Sequence, residues 1–373
     1  MLTREERAAR TAKSRKQHQY SVADYRIYPG PNVYEAALDR IRQVYAEYDH
    51  VAVAFSGGKD SLTVLHLARQ VAEEQNKLPV RAVFRDEELI PFDVVRFVEQ
   101  HRGLDWLDLE WWAIPLQSHR KVFAAIMDYV QWDPNRKHIR PRPDWAVTEP
   151  DLGLQPGQIV DQYTADDLIF HGRPGSAAIL MGIRAAESYL RLKSAMTKRG
   201  PLYWQNTSSN CRALTCNPII DWEEDDVFRF FYDHGITYCA HYDDQMWTES
   251  EFRVCSVITS EGSNNFDYLM RQDPELWDRI VQVFPGTSAQ QRYKHQLTGG
   301  PPPDNWQACH QWVDDHLEGR WHERASRGVR YLEANGGRLD QAWSYLHRGA
   351  YKHATAHFEL ARVARSQAAT TTD

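Results

Sequence analysis

Apolar residues recur at helical spacing from Val33 to Tyr48. Val33, Ala36, Ala37, Ile41, Val44 and Tyr45 share one face, and Asn32 stands where a helix N-cap belongs. Val51–Phe55 then runs continuously apolar and stops at Gly57-Gly58, as a strand buried on both faces does. A second helical pattern extends from Ser61 to about Gln75 through Leu62, Val64, Leu65, Leu67, Ala68 and Val71. Val80–Phe84 reads as a strand, Phe92 to His101 as a helix, and Leu107–Ile114 as a third strand. Helix and strand alternate, which predicts an α/β fold: a parallel, twisted sheet flanked by helices.

The alternation breaks at residues 131–160, where five prolines sit among Trp132, Trp145 and the basic residues Arg136, Lys137, His138, Arg140 and Arg142. A long structured loop or insertion is expected there. Ala177–Met181 is apolar again and ends at Gly182. A helix from about Ala185 to Lys198 and a polar loop to Cys216 should follow. The next helix, from Trp222 to Asp233, opens with Glu223, Glu224, Asp225 and Asp226, which suit the positive end of a helix dipole. Residues 248–284 and 304–365 read as mainly helical, parted by the linker Gly299-Gly300-Pro301-Pro302-Pro303. The expected division is a basic flexible arm over 1–25, an α/β domain over 26–240, a helical continuation over 241–298, and a linker with a mainly helical C-terminal extension over 299–373.

Composition narrows the classes. The 373 residues carry 44 Lys and Arg against 51 Asp and Glu, a net charge of −7, so the chain is no general polycation for nucleic acid. A local contact remains open at the arm (Arg4, Arg7, Arg10, Lys13, Arg15, Lys16) and at the Arg136–Arg142 loop. Five cysteines are few and odd in number, which fits a reducing compartment rather than a disulfide framework. No apolar run approaches the length of a membrane span, and Met1–Gln19 lacks the apolar core of a secretory signal. The expectation is a cytoplasmic protein with no membrane partner.

The densest chemistry lies in Ser56-Gly57-Gly58-Lys59-Asp60-Ser61, between a predicted strand and a predicted helix. Two glycines let the backbone turn tightly and approach a ligand. The amides that follow open a helix and favour an anion. Ser56 and Ser61 add hydroxyls and Lys59 a positive charge. Asp60 makes sense beside phosphate if it holds Mg2+, which takes carboxylate together with phosphate oxygens. The spacing fits neither the P-loop nor the dinucleotide fingerprint.

This hexapeptide resembles the S-G-G-x-D-S signature of the PP-loop ATP pyrophosphatase superfamily. Gly182-Ile183-Arg184-Ala185-Ala186-Glu187-Ser188-Tyr189-Leu190-Arg191 is similar to the G-x-R-x-x-E-S-x-x-R stretch of its phosphoadenosine phosphosulfate (PAPS) reductase-like branch. Asn217-Pro218-Ile219-Ile220-Asp221-Trp222, followed by Asp226-Val227, resembles the P-[IL]-x-D-W-x-x-x-D-[VI] segment of the same branch. Phe84–Glu88, Trp132-Asp133 and Arg253-Val254-Cys255-Ser256 look like the immunoglobulin-binding regulator A-type proteins of that branch, which occur beside ParB/sulfiredoxin-like partners.

The resemblance implies an adenine nucleotide alpha-hydrolase-like fold with nucleotide at the C-terminal ends of the strands. It implies that Ser56–Ser61 wraps phosphates and that Asp60 binds Mg2+. It makes Gly182, Arg184 and Arg191 nucleotide contacts, the arginines as forks for oxyanions. Lys59, Asp60 and Arg184 become the catalytic candidates. The implied reaction binds Mg2+–ATP, cleaves at the α-phosphate, passes AMP to an acceptor the sequence does not identify, and releases pyrophosphate. A sulfonucleotide enzyme acting on PAPS is the second reading. A nucleotide-binding regulator acting with a ParB-like partner is the third.

Two departures matter. PAPS reductases that use thioredoxin carry Glu-Cys-Gly-[ILV]-His, and the nearest match in chain position, Cys309-His310, lacks the Gly between Cys and His. Where many relatives have Asp-Thr-Gly, this chain has Asp86-Glu87-Glu88. Asp86 and Glu88 are candidates for a second metal ligand or a ribose contact, against a solvated acidic turn. Cys211, Cys216, Cys239 and Cys255 match no standard zinc or iron–sulfur spacing, so cysteines packed as small apolar groups are expected. Trp132, Trp145, Trp204 and Trp222 are expected to fill the core or an interface rather than stack a base.

Overall fold

The computed structural model describes residues 32–122, 125–187, 203–208, 211–247, 266–288 and 305–334, with single positions between them. The basic arm, Arg253–Ser256, the Gly299–Pro303 linker and the polar C-terminal tail lie outside the described residues. By contact the chain divides into two units, Met1–Ser118 with Val130–Val257, and His119–Tyr129 with Ile258–Asp373.

The first unit begins as its pattern predicts. Helix α1 (Val33–Glu47) is capped by Asn32, whose side chain accepts the Glu35 amide proton at 3.0 Å. Strand β1 (His50–Ala54) leads into α2 (Lys59–Glu74), β2 (Val80–Arg85), α3 (Phe92–His101) and β3 (Leu107–Trp112). After the 131–160 segment come α4 (Gln162–Leu168), β6 (Ala177–Leu180), β7 (Gln205–Ser208) and β8 (Cys211–Cys216). Helices α5 (Glu224–His234) and α6 (His241–Trp247) follow. The six strands lie in the order β3-β2-β1-β6-β8-β7, all parallel except β7 against β8. This is the parallel sheet of an α/β fold.

Both faces of the sheet are covered. Val53, Phe55 and Phe84 pack on one side with Ile41, Leu65 and Phe231 from α1, α2 and α5. Ala52, Val83 and Ile179 pack on the other with Leu152, Val160, Ala165 and Phe170. Each such large apolar side chain stabilises the fold by about 1.5–3 kcal/mol through burial.

One buried polar knot ties the ends of this unit together. Arg40 of α1 meets Asp221 through two bonds of 2.9 and 2.8 Å, and donates also to the Pro218 carbonyl and the Tyr203 hydroxyl. Trp222 Nε1 donates to the Val33 carbonyl at 3.0 Å. The Asp-Trp pair of the third motif therefore anchors α1.

Three segments differ from expectation. Strands β4 (Leu116–Val122) and β5 (Ala125–Gln131) pair as a separate two-stranded ribbon. Gln117–Lys121 is a continuous polar run without period-two alternation, so it gave no strand signal. Strands β7 and β8 replace the loop expected before Cys216, because β7 (Gln-Asn-Thr-Ser) is a polar edge strand that only its partner defines. The helix expected from Ala185 begins as a single 3-10 turn, Ala185–Glu187.

In the second unit, α7 (Phe266–Gln272) and α8 (Pro274–Val283) share a Phe266–Trp277 ring contact at 5.5 Å between centroids. Helices α9 (Trp306–His316) and α10 (Gly319–Ala334) close on Cys309, Val313, Ala325 and Val329. No helix among the described residues is long and apolar enough to cross a membrane.

Removing one partner of a buried ion pair leaves the other charge stranded. Asp221→Ala is therefore expected to lower unfolding free energy by about 3–5 kcal/mol, and the paired replacement Arg40→Met/Asp221→Ala by less. Urea unfolding monitored by tryptophan fluorescence measures both, and equal losses would contradict the assignment.

Candidate functional site

The strand order marks the edge of the sheet where a candidate site is expected. From β1 the chain steps outward to β2 and β3, then crosses back to place β6 on the other flank of β1. The order reverses between β1 and β6, and ligands of open α/β sheets bind in the crevice beyond the carboxyl ends of such a strand pair. Val53 of β1 lies opposite Leu180 of β6, so the Ser56–Ser61 loop and the Gly182–Arg184 segment emerge side by side.

The loop is held by its own side chains. Ser61 Oγ accepts the Ser56 amide proton at 3.1 Å and donates to the Gly58 carbonyl at 2.9 Å, and the two serine hydroxyls are 3.0 Å apart. Gly57 has φ +74°, and a Cβ there would lie 2.7 Å from Val98 and 2.9 Å from Val94 of α3. Gly182 is tighter still: its Cβ would fall 2.5 Å from the Asp60 carbonyl carbon and the Ser61 nitrogen. The glycine after β6 thus presses against the first turn of α2, and no side chain fits between.

Four charged groups converge at that turn. Arg184 Nε donates to Asp60 Oδ1 at 2.6 Å. Lys59 Nζ donates to Asp60 Oδ2 at 3.2 Å and stands 3.7 Å from Glu224 Oε1, at the start of α5. Lys59, Asp60 and Arg184 are all buried. Burial works to raise the Asp60 carboxyl, yet the neighbouring Arg184 and Lys59 charges outweigh it and hold it below the usual carboxylate range. Burial likewise opposes the charge on Arg184, and Asp60 and Glu224 overcome it, so the guanidinium stays protonated.

Tyr242 of α6 closes the loop from above the sequence's reach. Its hydroxyl accepts the Lys59 amide proton at 2.8 Å, and its ring centroid is 5.4 Å from the Lys59 ammonium. Nothing in the sequence marked Tyr242, which lies 183 residues from its partner; Glu224 was legible only as an acidic first turn. Arg191 forms an ion pair with Glu187, one helical turn away.

Asp86 and Glu88 do not form a solvated acidic turn. Both are shut from solvent. Asp86 accepts from Trp111 Nε1 at 2.9 Å and pairs with Arg140. Glu88, at φ +63°, takes the Trp132 and Ile139 amide protons, each at 2.9 Å, and pairs with Arg136. Burial raises the Glu88 carboxyl, and Arg136 with those amides pulls it below its ordinary value. Through these contacts both carboxylates hold the 131–142 loop. Three arginines of the basic cluster are paired with carboxylates: Arg136 with Glu88, Arg140 with Asp86, and Arg142 with Glu149 at 2.9 Å. Trp132, Trp204 and Trp222 are buried, and Trp145 packs edge-on against Trp111 at 5.0 Å.

The described cysteines, Cys211, Cys216, Cys239 and Cys309, are free thiols. Burial pushes Cys211 up to about 11 and Cys216 up to about 12, far from thiolate at neutral pH. No group of three or more His, Cys, Asp or Glu suited to a metal occurs among the described residues.

Two outcomes follow from this geometry. Gly182→Ala is expected to destabilise by about 1–3 kcal/mol, the usual cost of forcing a methyl group into a filled space, with the loss read from urea midpoints. Burial lowers His241 from 6.5 to about 4, so the unfolded chain binds this proton more readily than the folded one. Stability present above pH 6.5 should drop as pH falls towards 4, and His241→Gln should make that decline shallower in denaturation midpoints.

Residues 171–267 match the family profile of the phosphoadenosine phosphosulfate reductase domain. The Ser56–Ser61 loop lies outside that stretch. The uncharacterized protein YbdN of Escherichia coli K12 is 28% identical over 220 residues, 56% of this chain and 54% of that protein. The chain thus spans about half the length of that curated relative. Among solved structures, yeast FAD synthetase bound to FAD has a TM-score of 0.37 at 14% identity, over 66% of this chain and 74% of its own. PAPS reductase from Candida auris has 0.32 at 12%, over 69% and 96%. The U34-tRNA thiolase of Methanococcus maripaludis with its [4Fe-4S] cluster has 0.30 at 14%, over 70% and 79%. Scores this low carry no chemistry across to this chain. The profile match covers the strand and segment that bring Gly182 and Arg184 to the loop, and over that stretch the chain is similar to the PAPS reductase domain.

Proposed function

We propose that the chain is a PP-loop enzyme that binds Mg2+–ATP at Ser56–Ser61 and cleaves it at the α-phosphate. AMP passes to an acceptor and pyrophosphate leaves. The observation that carries this reading is the convergence of two buried cations, Lys59 and Arg184, on the first turn of α2. Such a turn offers amide protons and a positive dipole end, and the cations add the charge that a polyphosphate requires.

The donor set suits Mg2+. A buried carboxylate beside hydroxyls, at a place for phosphate oxygens, is how proteins hold this ion. Asp60 would be its protein ligand, and the ion would supply neutralisation of charge on the phosphates. The chain's own residues do the rest. Lys59 and the loop amides hold the pyrophosphate as the bond between the α-phosphorus and its bridging oxygen breaks and the electron pair leaves with that oxygen. Arg184 orients the α-phosphate for attack by the acceptor. Catalysis here is positioning and electrostatic stabilisation, as in phosphoryl transfer generally.

The PAPS reductase match supports a second reading, a sulfonucleotide pocket. Against thiol attack on sulfur stand the buried Cys216 and Cys239 and the raised values of Cys211 and Cys216.

Thermal unfolding with ATP–Mg2+, PAPS and 3′,5′-ADP separates the two. At about 100 times its dissociation constant a ligand adds about 2.7 kcal/mol, a rise of several degrees in Tm. The expected result is stabilisation by ATP–Mg2+, lost in Lys59→Met. Stabilisation by PAPS or 3′,5′-ADP and not by ATP would overturn the adenylating reaction.

A further inference from the structure

We propose that Asp60 is an internal stand-in for phosphate. Its carboxylate occupies the two cations of the loop until a divalent cation takes Asp60 in exchange for Arg184. This inference rests on the nucleotide-binding reading above.

The geometry is that of a filled anion seat. The side chains of Lys59 and Arg184 are 5% exposed, and a single carboxylate takes both, one oxygen each, at 3.2 and 2.6 Å. Asp60 is the second residue of α2, so its charge also meets the positive end of the helix, where an anion is favoured. Glu224 stands 3.7 Å from Lys59. Asp60 and Glu224 therefore already match the charges of Lys59 and Arg184 at the turn, and Glu223 adds further negative charge near Arg184.

That balance has a consequence for any polyphosphate. Metal-free ATP, a multiply charged anion, would enter a seat whose cations are already neutralised, with Asp60 and Glu224 repelling it. Arg184 is buried and needs an anionic partner at every stage, and so does Lys59. A simple departure of Asp60 would leave Lys59 with Glu224 at 3.7 Å but would strand Arg184. An exchange does not: Asp60 passes from Arg184 to the cation, and Arg184 passes from Asp60 to a phosphate oxygen, which its fork suits. The site then takes phosphate and cation together more readily than either alone. Asp60 accordingly has two opposed effects, favouring Mg2+–ATP and opposing free ATP.

The test uses the full chain and two probes. In EDTA buffer, Asp60→Asn is expected to bind ATP at least about tenfold more tightly than wild type by titration calorimetry, since the neutral amide releases the cations. Mn2+ alone, followed by electron paramagnetic resonance, is expected to bind Arg184→Gln about tenfold more tightly than wild type, because its rival for Asp60 is gone. The Mn2+ arm stands if Asp60→Asn does not fold. Equal ATP affinity of wild type and Asp60→Asn in EDTA, or no gain in Mn2+ affinity in Arg184→Gln, overturns the exchange and leaves ATP–Mg2+ binding by wild type standing. If wild type binds no ATP with Mg2+ and Asp60→Asn binds none in EDTA, the nucleotide reading falls and this inference with it.

Discussion

The parallel pairing of β1 with β6 is the constraint on which the site depends. Four register pairs, from His50 with Ala177 to Val53 with Leu180, bring two segments more than a hundred residues apart to one edge. Everything chemically dense lies just past those ends. The pairing sets Gly182 against the backbone of Asp60 and Ser61, at a separation that admits no side chain. Once that contact exists, Arg184 two residues on reaches Asp60. The ion pair is thus a product of sheet register: slipping β6 by one residue would turn its side chains to the opposite face and break the contact.

A second theme is how this chain handles charge without solvent. Arg40 with Asp221, Arg140 with Asp86, Arg136 with Glu88 and Arg184 with Asp60 are each largely buried, and each joins segments distant in sequence. Arginine suits the task because its fork bonds carboxylates bidentately and keeps its charge when buried. Buried pairs add little net stability against apolar replacements, but they tolerate few alternative arrangements. Three of these pairs close loops or anchor a helix. The fourth stands at the N-terminal end of α2, where the helix dipole favours an anion.

The sheet was legible in the sequence where apolar pattern decides structure. The β1-loop-α2 unit, β2, α3, β3 and β6 follow directly from runs and spacing, and Asn32 caps α1 as its type requires. The loop was legible because its residue types are unusual together: two glycines, a lysine and an aspartate between strand and helix. What could not be read was pairing. The strands β4 and β7 are polar and acquire their state from a partner. Asp86 and Glu88 looked like free acid because Arg136 and Arg140 lie about fifty residues away, with no local signal joining them. Tyr242 was invisible for the same reason. Asp221 and Trp222 were found by motif, but their work, holding α1, became plain only through Arg40 and Val33.

The reach of Tyr242 bears on how the loop comes into being. Ser56–Ser61 is made well before its partners: the glycine and arginine that abut it come about 120 residues later, and the tyrosine that takes the Lys59 amide about 60 residues after that. Contacts of such separation close late, because loop-closure entropy must be overcome before they return any stability. The N-terminal end of α2 is therefore assembled last, by the far part of the same unit. A nascent chain carries the signature hexapeptide long before it carries the site.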